Sequence, residues 1–246
     1  NVTFAVTATG AAPLAYQWYH DAILIPTATT DSLTINGVVA GDAGTYTVVV
    51  ANAASAASSS AVFTVNPLPT VAVNSETICL GASAVLTATS SAANPAYLWS
   101  PGGATTASIT VSPASTTTYS VIVTDGTTTC VSGASGIVTV KALTIATALT
   151  SMTNLCPGLP VSFSTTAAGE GPFAYVWRLN GAALAETSST LSIAAATLAD
   201  AGTYSVEVTG DCNSVTNSAT LTIVAPVTIS AQPQNQTTPM GNGAVF

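Results

Sequence analysis

A tyrosine two residues before a tryptophan occurs three times in this chain, at nearly equal spacing. The motifs span Tyr16–Trp18, Tyr97–Trp99 and Tyr175–Trp177, and the tryptophans are 81 and 78 residues apart. A further tyrosine follows each motif after a similar interval. Repeats at a fixed period indicate that one structural unit is copied along the chain. With 246 residues, the chain is long enough for three small domains.

Apolar residues in each repeat alternate with Thr, Ser or Ala over short runs. Val2, Phe4 and Val6 show this pattern in the first repeat, and Leu221 and Ile223 show it in the third. A period of two residues predicts strands with one buried face, and no stretch keeps the 3.6-residue period of a helix. Short strands with turn residues about every 8–12 positions predict β-sandwiches.

The first and third repeats resemble bacterial immunoglobulin-like domains of the intermediate-set type. The resemblance is carried by the Tyr-x-Trp motifs, by Leu-x-Ile pairs and by the pentapeptide Asp-Ala-Gly-Thr-Tyr at Asp42–Tyr46 and Asp200–Tyr204. It implies that Trp18 and Trp177 pack in the core between two sheets. Long surface or secreted proteins of Bacteroidetes type carry such domains.

The shared pentapeptide implies a structural corner in both repeats. By the resemblance, the hydroxyls of Tyr46 and Tyr204 bond to nearby backbone. An aspartate at the start of such a turn caps the turn with its side chain. We therefore expect Asp42 and Asp200 to be structural rather than catalytic or calcium-binding residues.

The middle repeat departs from this pattern. It keeps Trp99, but Ser115–Tyr119 replaces the pentapeptide, and Tyr119 follows the tryptophan after 20 residues instead of 28 and 27. Its Trp-Ser-Pro-Gly-Gly sequence and the threonines before Tyr119 resemble PKD-like modules of large secreted Bacteroidetes proteins. The resemblance implies a slightly smaller sandwich, with Trp99 and Tyr119 in structural positions.

We predict an all-β chain of three tandem immunoglobulin-like β-sandwiches plus a C-terminal strand. The predicted domains are residues 1–66, which lack a first strand, the PKD-like residues 67–142, and residues 143–224. Residues 225–246 are predicted to be a linker followed by strand A and part of strand B of a next unit.

The C-terminal segment copies the start of the third repeat. Gly241 precedes Phe246 by five residues, as Gly158 precedes Phe163. Two explanations remain open: a segment of a longer tandem array, or a strand that completes the first sandwich of another chain. The predicted assembly residues are Val227, Ile229, Val245 and Phe246.

Four cysteines fall in the second and third repeats. Their parallel placement favours the pairs Cys79–Cys130 and Cys156–Cys212 among three possible connectivities. Disulfides imply an oxidising environment, so we expect a secreted or cell-surface protein. Zinc is disfavoured because no Cys-x-x-Cys motif occurs and His20 lies in another repeat.

The charge composition excludes several partners. The chain has two basic and ten acidic residues, and 5% of its residues are charged, against about 25% in an ordinary soluble domain. Two basic side chains cannot neutralise a nucleic-acid backbone, and no apolar stretch is long enough for a membrane helix. A nearly uncharged surface favours side-by-side assembly.

No catalytic constellation is recognisable, so we predict no enzyme activity, no metal and no cofactor. His20 is predicted to be an exposed loop residue, and Glu170, Glu186 and Glu207 to be isolated surface carboxylates. Ser32 follows an aspartate and precedes a leucine, as in the O-glycosylation motif of Bacteroidetes, and is a possible glycosylation site.

The combined pattern predicts a structural or adhesive repeat of an extracellular fibrous protein. Its expected partners are copies of itself joined head to tail, or neighbouring immunoglobulin-like domains, with a possible glycan or surface ligand. The alternative is a carbohydrate- or protein-binding module of a larger secreted enzyme. That alternative requires exposed aromatic side chains, for which Tyr19 and Phe173 are the candidates.

Overall fold

The computed structural model describes residues 1–235 and 237–241, and its regular elements are β-strands and two short 3-10 turns. The prediction of an all-β fold is confirmed, and the chain forms tandem immunoglobulin-like sandwiches. Within the described residues, no helix has the length and apolar character needed to cross a membrane. Val245 and Phe246 lie outside the described residues.

The first sandwich contains six strands and a 3-10 turn at Ala40–Asp42. Its strands are β1 (Val2–Ala5), β2 (Ala15–His20), β3 (Ile23–Leu24), β4 (Ser32–Ile35), β5 (Gly44–Ala51) and β6 (Ala56–Phe63). One sheet pairs β1 with β4, and the other has the order β3-β2-β5-β6. All of these pairs are antiparallel, and β6 is an edge strand.

The middle sandwich contains seven strands. They are β7 (Val71–Val73), β8 (Glu76–Cys79), β9 (Ala84–Ser90), β10 (Ala96–Ser100), β11 (Ser108–Val111), β12 (Thr117–Thr124) and β13 (Val131–Lys141). One sheet has the order β11-β9-β7 and the other β10-β12-β13-β8. The short strand β8 runs parallel to the last four residues of β13.

The third sandwich contains nine strands and a 3-10 turn at Leu198–Asp200. The strands are β14 (Ile145–Ala146), β15 (Met152–Leu155), β16 (Val161–Ser164), β17 (Ala167–Ala168), β18 (Ala174–Leu179), β19 (Ala182–Ala183), β20 (Thr190–Ile193), β21 (Gly202–Thr209) and β22 (Ser214–Ile223). The main sheet has the order β15-β22-β21-β18-β19. As in the middle sandwich, a short strand, β15, lies parallel to the last strand, β22.

The chain divides into two compact units. The first comprises residues 1–75, 85–110 and 118–137, and the second comprises residues 76–84, 111–117 and 138–246. The first unit thus contains the whole first sandwich. The second contains strand β8 and the whole third sandwich.

Each tryptophan is the centre of a sandwich core. Trp18, Trp99 and Trp177 are 3%, 1% and 0% exposed. Each indole N–H donates a hydrogen bond to a backbone carbonyl in the loop before a later strand, at 2.9, 2.8 and 2.9 Å. A buried indole needs such a partner, because its N–H otherwise loses its hydrogen bond to water.

The two Asp-Ala-Gly-Thr-Tyr segments form tyrosine corners. The hydroxyl of Tyr46 donates to the carbonyl of Asp42 at 3.0 Å, and that of Tyr204 donates to the carbonyl of Asp200 at 2.8 Å. Both aspartate side chains accept a backbone N–H three residues earlier, at 2.7 Å in each case. Hydrogen bonds from Thr197 hold the pKa of the Asp200 carboxyl below its usual value.

The glycine of each corner is required by a close approach of a neighbouring side chain. A Cβ atom at Gly44 would lie 2.7 Å from a carboxylate oxygen of Asp21, and one at Gly202 would lie 2.6 Å from the amide of Asn180. These two side chains accept the N–H of the residue that follows the glycine, at 2.8 and 2.9 Å. The pentapeptide therefore encodes two contacts: the tyrosine bond and this cross-loop bond.

Removing the corner hydroxyl should weaken the third sandwich. We expect Tyr204→Phe to lower the free energy of unfolding by about 1 kcal/mol, because one buried hydrogen bond is lost while the ring remains. Urea denaturation measures the loss, and hydrogen exchange should localise it to β21 and its neighbours. Tyr119→Phe is the matched control, since in the part of the chain that the structure describes the Tyr119 hydroxyl forms no corner bond. Equal losses in both variants would contradict this account.

Candidate functional site

The last strand of the first sandwich has an uncovered edge. In the other two sandwiches the corresponding strands, β13 and β22, are covered by the parallel strands β8 and β15. No strand of residues 1–235 or 237–241 pairs with the outer edge of β6. Its eight residues contain no charge and no proline, although natural edge strands are commonly protected by such residues.

Two alanines in equivalent positions of β6 and β22 differ in exposure to solvent. Ala61 is the cross-strand partner of the corner tyrosine Tyr46, and Ala219 is the partner of Tyr204. Ala219 is 4% exposed, whereas Ala61 is exposed. In the third sandwich, Met152 of β15 packs against the core, whereas among the described residues no strand takes that position beside β6.

The uncovered edge opens into a small groove between the sheets. The groove has a volume of about 90 Å³ and is lined by core side chains together with part of β6. The core side chains are Phe4, Trp18, Tyr46 and Val48. We call this feature, with the outer edge of β6, the open edge. It offers unpaired backbone groups beside apolar side chains, which is the chemistry that binds an added strand.

The described C-terminal residues form no strand. Val227 and Ile229, which we predicted to lie in an assembly strand, are 97% and 80% exposed. A strand needs a partner edge, and this segment pairs with none in the described chain. Gly241 nevertheless has a φ of +102°, close to the +88° of Gly158 and the +89° of Gly81. Those two glycines follow β15 and β8, the strands that cover an edge.

The cysteine pairing differs from the one predicted. Cys79 is bonded to Cys212, with Cα atoms 5.6 Å apart and a sequence separation of 133. Cys130 is a half-buried free thiol and Cys156 is an exposed one. In the loop-entropy model, closing a loop of this length stabilises the folded state by on the order of 5 kcal/mol.

The parallel direction of β8 and β15 explains why the two predicted disulfides do not form. Cys156 lies just after β15, whose last residue pairs with Ile223 at the end of β22, while Cys212 lies before the start of β22. Ten residues of strand separate these positions by roughly 33 Å. Cys79 likewise pairs with Lys141 at the end of β13, whereas Cys130 precedes the start of that strand. Neither predicted bond is therefore geometrically possible.

An ion pair lies beside the disulfide. Lys141 Nζ is 2.6 Å from an oxygen of Asp211, the residue before Cys212. The hydrogen bond and charge of Asp211, with a smaller contribution from Glu170, raise the pKa of the lysine. Because Lys141 is also the strand partner of Cys79, the ion pair and the disulfide fasten the same two segments. We call these four residues the clasp.

The possible catalytic residues do not form a constellation. His20 lies against the ring of Tyr46, with ring centroids 4.5 Å apart, and its Nε2 is 3.5 Å from an oxygen of Asp21. Glu207 forms an ion pair with Arg178 at 3.0 Å. Glu186 accepts the backbone N–H groups of the next two residues. Hydrogen bonding by the Ser188 side chain, together with these backbone bonds, holds the pKa of the Glu186 carboxyl below its usual value. Among the described residues, no group of three acids, histidines or cysteines is placed to hold a metal ion.

The candidate ligand-binding residues differ in accessibility. Phe173, predicted to be free, packs against the core of the third sandwich. Tyr19 is half-buried on a sheet face that also includes Asp21, Thr45 and Thr47. Ser32 is exposed at the start of β4.

Sequence analysis missed Asp125, which organises the turn between β12 and β13. Its carboxylate accepts the backbone N–H groups of Ala93 at 2.7 Å, Thr127 at 2.8 Å and Thr128 at 2.9 Å. It is 8% exposed. These bonds, that of Thr128 foremost, hold its pKa below the usual 3.8. In the sequence, Asp125-Gly126 has the form of an ordinary turn.

The low pKa of Asp125 predicts a pH-dependent contribution to stability. Since the folded pKa lies below the unfolded one, the contribution is complete above about pH 5 and is lost as pH falls through the folded pKa. We expect Asp125→Asn to lower the urea midpoint at pH 7, with a gap to the parent protein that narrows towards pH 3. A gap of constant size would contradict this account. Asp31→Asn, at an exposed position, is the control.

Comparison with known proteins supports the immunoglobulin-like fold. Residues 1–65 match the model of the Immunoglobulin I-set domain. No curated protein matches the chain. Two three-domain structures of titin are similar: an E-to-A variant (TM-score 0.57, 20% identity) and the I-band fragment (TM-score 0.55, 19% identity). Each alignment covers 91% of this chain and 93% of the other.

A viral structure also aligns with most of the chain. Three N-terminal domains of the outer capsid protein Hoc of bacteriophage RB49 align over 91% of this chain and 94% of their own, with a TM-score of 0.49 and 19% identity. At these identities the two titin structures show the fold alone. The bacterial origin implied by the sequence resemblance stays a prediction. The chain has a tandem immunoglobulin-like fold, and its first 65 residues match the I-set domain model.

Proposed function

We propose that this chain is a repeat segment of an extracellular structural or adhesive fibre, in which an incoming strand covers the open edge of the first sandwich. The strand comes from the C-terminal segment of a second copy, which builds a head-to-tail filament, or from a neighbouring domain in a continuous tandem array. The exposed Ala61, whose counterpart Ala219 is buried, is the observation that carries the proposal.

The C-terminal segment has the features of such a strand. Val227, Thr228 and Ile229 repeat the apolar-polar-apolar order of Leu143, Thr144 and Ile145, which lead into the third sandwich. Thr237 and Thr238 precede Gly241 by the interval at which β8 and β15 precede their own glycines. An added strand gains main-chain hydrogen bonds along an edge and apolar contacts from alternate side chains. A contact of this head-to-tail kind that does not close into a ring gives a filament.

The surface composition favours assembly. Both basic residues of the chain, Lys141 and Arg178, are engaged in ion pairs within the second unit. Residues 1–140 contain no lysine or arginine. The same residues contain only five acidic side chains, so a contact between copies brings few charges together. The disulfide favours an extracellular location, because thiols are kept reduced in the cytosol.

The alternative of a carbohydrate-binding module depends on Tyr19. This side chain is half-buried beside polar residues on an open sheet face, and aromatic faces with adjacent polar groups suit sugar rings. A single aromatic residue gives a weak platform, so fibre assembly remains the favoured function.

Assembly in solution tests the proposal. We expect the 246-residue protein to form concentration-dependent oligomers by light scattering, and filaments by electron microscopy. Three stacked sandwiches with strands of about ten residues predict an axial period of about 110–120 Å. Deleting residues 225–246 should leave monomers. A parent protein that stays monomeric at high concentration would exclude the filament and leave the tandem array.

A matched pair of substitutions tests the open edge itself. Ala61→Lys places a charge where an incoming strand would pack, so we expect at least tenfold weaker association. Val62→Lys is the control, because Val62 is 77% exposed on the opposite face of the same strand. Equal effects of the two substitutions would indicate that charge, rather than the open edge, governs association.

A further inference from the structure

The Cys79–Cys212 disulfide closes a loop around more than half of the chain. Its cysteines are 133 positions apart in sequence, but their Cα atoms are 5.6 Å apart. Residues 80–211, which we call the bypassed segment, contain strands β9 to β21. A tensile force along the backbone reaches Cys79, crosses the sulfur–sulfur bond and continues from Cys212. The bypassed segment is therefore outside the covalent load path.

We propose that this disulfide is a mechanical bypass, which limits the extension of the chain under tension. The inference rests on the proposed role in a fibre, since only a fibre under load needs such a limit. While the bond is intact, the distance between Cys79 and Cys212 stays near 5.6 Å, whether or not the bypassed segment is folded. The bypass thus limits the maximum end-to-end extension of the chain, and this limit does not depend on the stability of either sandwich.

Strands β8 and β22 lie in the load path, on either side of the bypassed segment. Strand β8 ends at Cys79, and β22 begins at Ser214, two residues after Cys212. Tension passes through β8 and β22 in series, while their neighbours β13 and β21 belong to the bypassed segment and carry none of it. The ladder bonds of β8 with β13, and of β22 with β21, hold the bypassed segment to the load path without bearing the load themselves.

The ion pair of the clasp supports the same role. Lys141 is the strand partner of Cys79, and its ammonium group contacts the carboxylate of Asp211, next to Cys212. This contact does not depend on the redox state of the cysteines. After reduction it keeps the two thiols near each other, which favours reformation of the same bond. The only lysine of the chain is used at this position.

Two free thiols offer competing reactions. Once the bypassed segment has unfolded, the thiolate of Cys130 or Cys156 can reach the disulfide and attack one of its sulfurs, which forms a new sulfur–sulfur bond and releases the other cysteine as a thiolate. The experiment therefore uses the full chain with Cys130→Ser and Cys156→Ser. This background keeps the bypass and removes the exchange.

Single-molecule stretching between non-thiol handles at the two termini tests the proposal. Fully extended, the 246-residue chain reaches about 840 Å, whereas a chain with the bypass intact reaches only about 390 Å. We expect the short limit without reductant, and a gain of about 450 Å when dithiothreitol is added. Extension to the long limit without reductant would overturn the proposal.

A second variant assigns the effect to this bond. With Cys79→Ser and Cys212→Ser added, the chain should reach the long limit with or without dithiothreitol. A reductant-dependent gain that persists in this variant would also overturn the proposal. If the variant does not fold, peptic mapping of the parent protein under non-reducing conditions decides: a peptide pair joined through Cys79 and Cys212 is expected, and a different pair contradicts the bypass. Stretching is measured on monomers. A failure to form filaments would therefore contradict the proposed fibre without changing the stretching result.

Discussion

The fold depends on how the last strand of each sandwich is covered. A sheet edge presents unpaired N–H and C=O groups, and an immunoglobulin-like sandwich leaves the inner side chains of that strand close to solvent. In the middle and third sandwiches, β8 and β15 lie parallel to β13 and β22. They pair with the backbone groups of that edge and shield its inner side chains from solvent. The first sandwich also has a buried tryptophan, Trp18, and the tyrosine corner of Tyr46. Among the described residues no strand lies along the outer edge of β6, and Ala61 is exposed there.

The same parallel arrangement decides where the cysteines can meet. Because β8 runs in the direction of β13, its end lies beside the end of β13 and away from the turn that contains Cys130. Cys79 is thereby placed near the hairpin between β21 and β22, where Cys212 is located. A bond from strand to hairpin across two repeats closes a much longer loop than a bond within one repeat. Longer loops remove more entropy from the unfolded chain, and they also shield more of the chain from tension.

The sequence was informative where packing needs large or special residues. Trp18, Trp99 and Trp177 are spaced widely enough to mark each core, and the Asp-Ala-Gly-Thr-Tyr segments specify a corner through glycine and tyrosine. The parallel strands were not predictable in this way. Glu76–Cys79 and Met152–Leu155 are four residues long, too short to show a period. Their pairing is set by contacts with β13 and β22, far along the chain. The cysteine pairing was predicted wrongly because the sequence did not show that these two strands run parallel to β13 and β22.

The chain has few charged residues, and both of its basic side chains form ion pairs. Arg178 pairs with Glu207 across adjacent strands of the third sandwich, and Lys141 pairs with Asp211 beside the disulfide. Elsewhere the strands expose Ser, Thr and Ala, which neither repel a neighbouring strand nor specify one. The edge of β6 contains no charge and no proline that would disfavour pairing with another strand. The edges of β13 and β22 show how a short parallel strand pairs with a last strand of this kind.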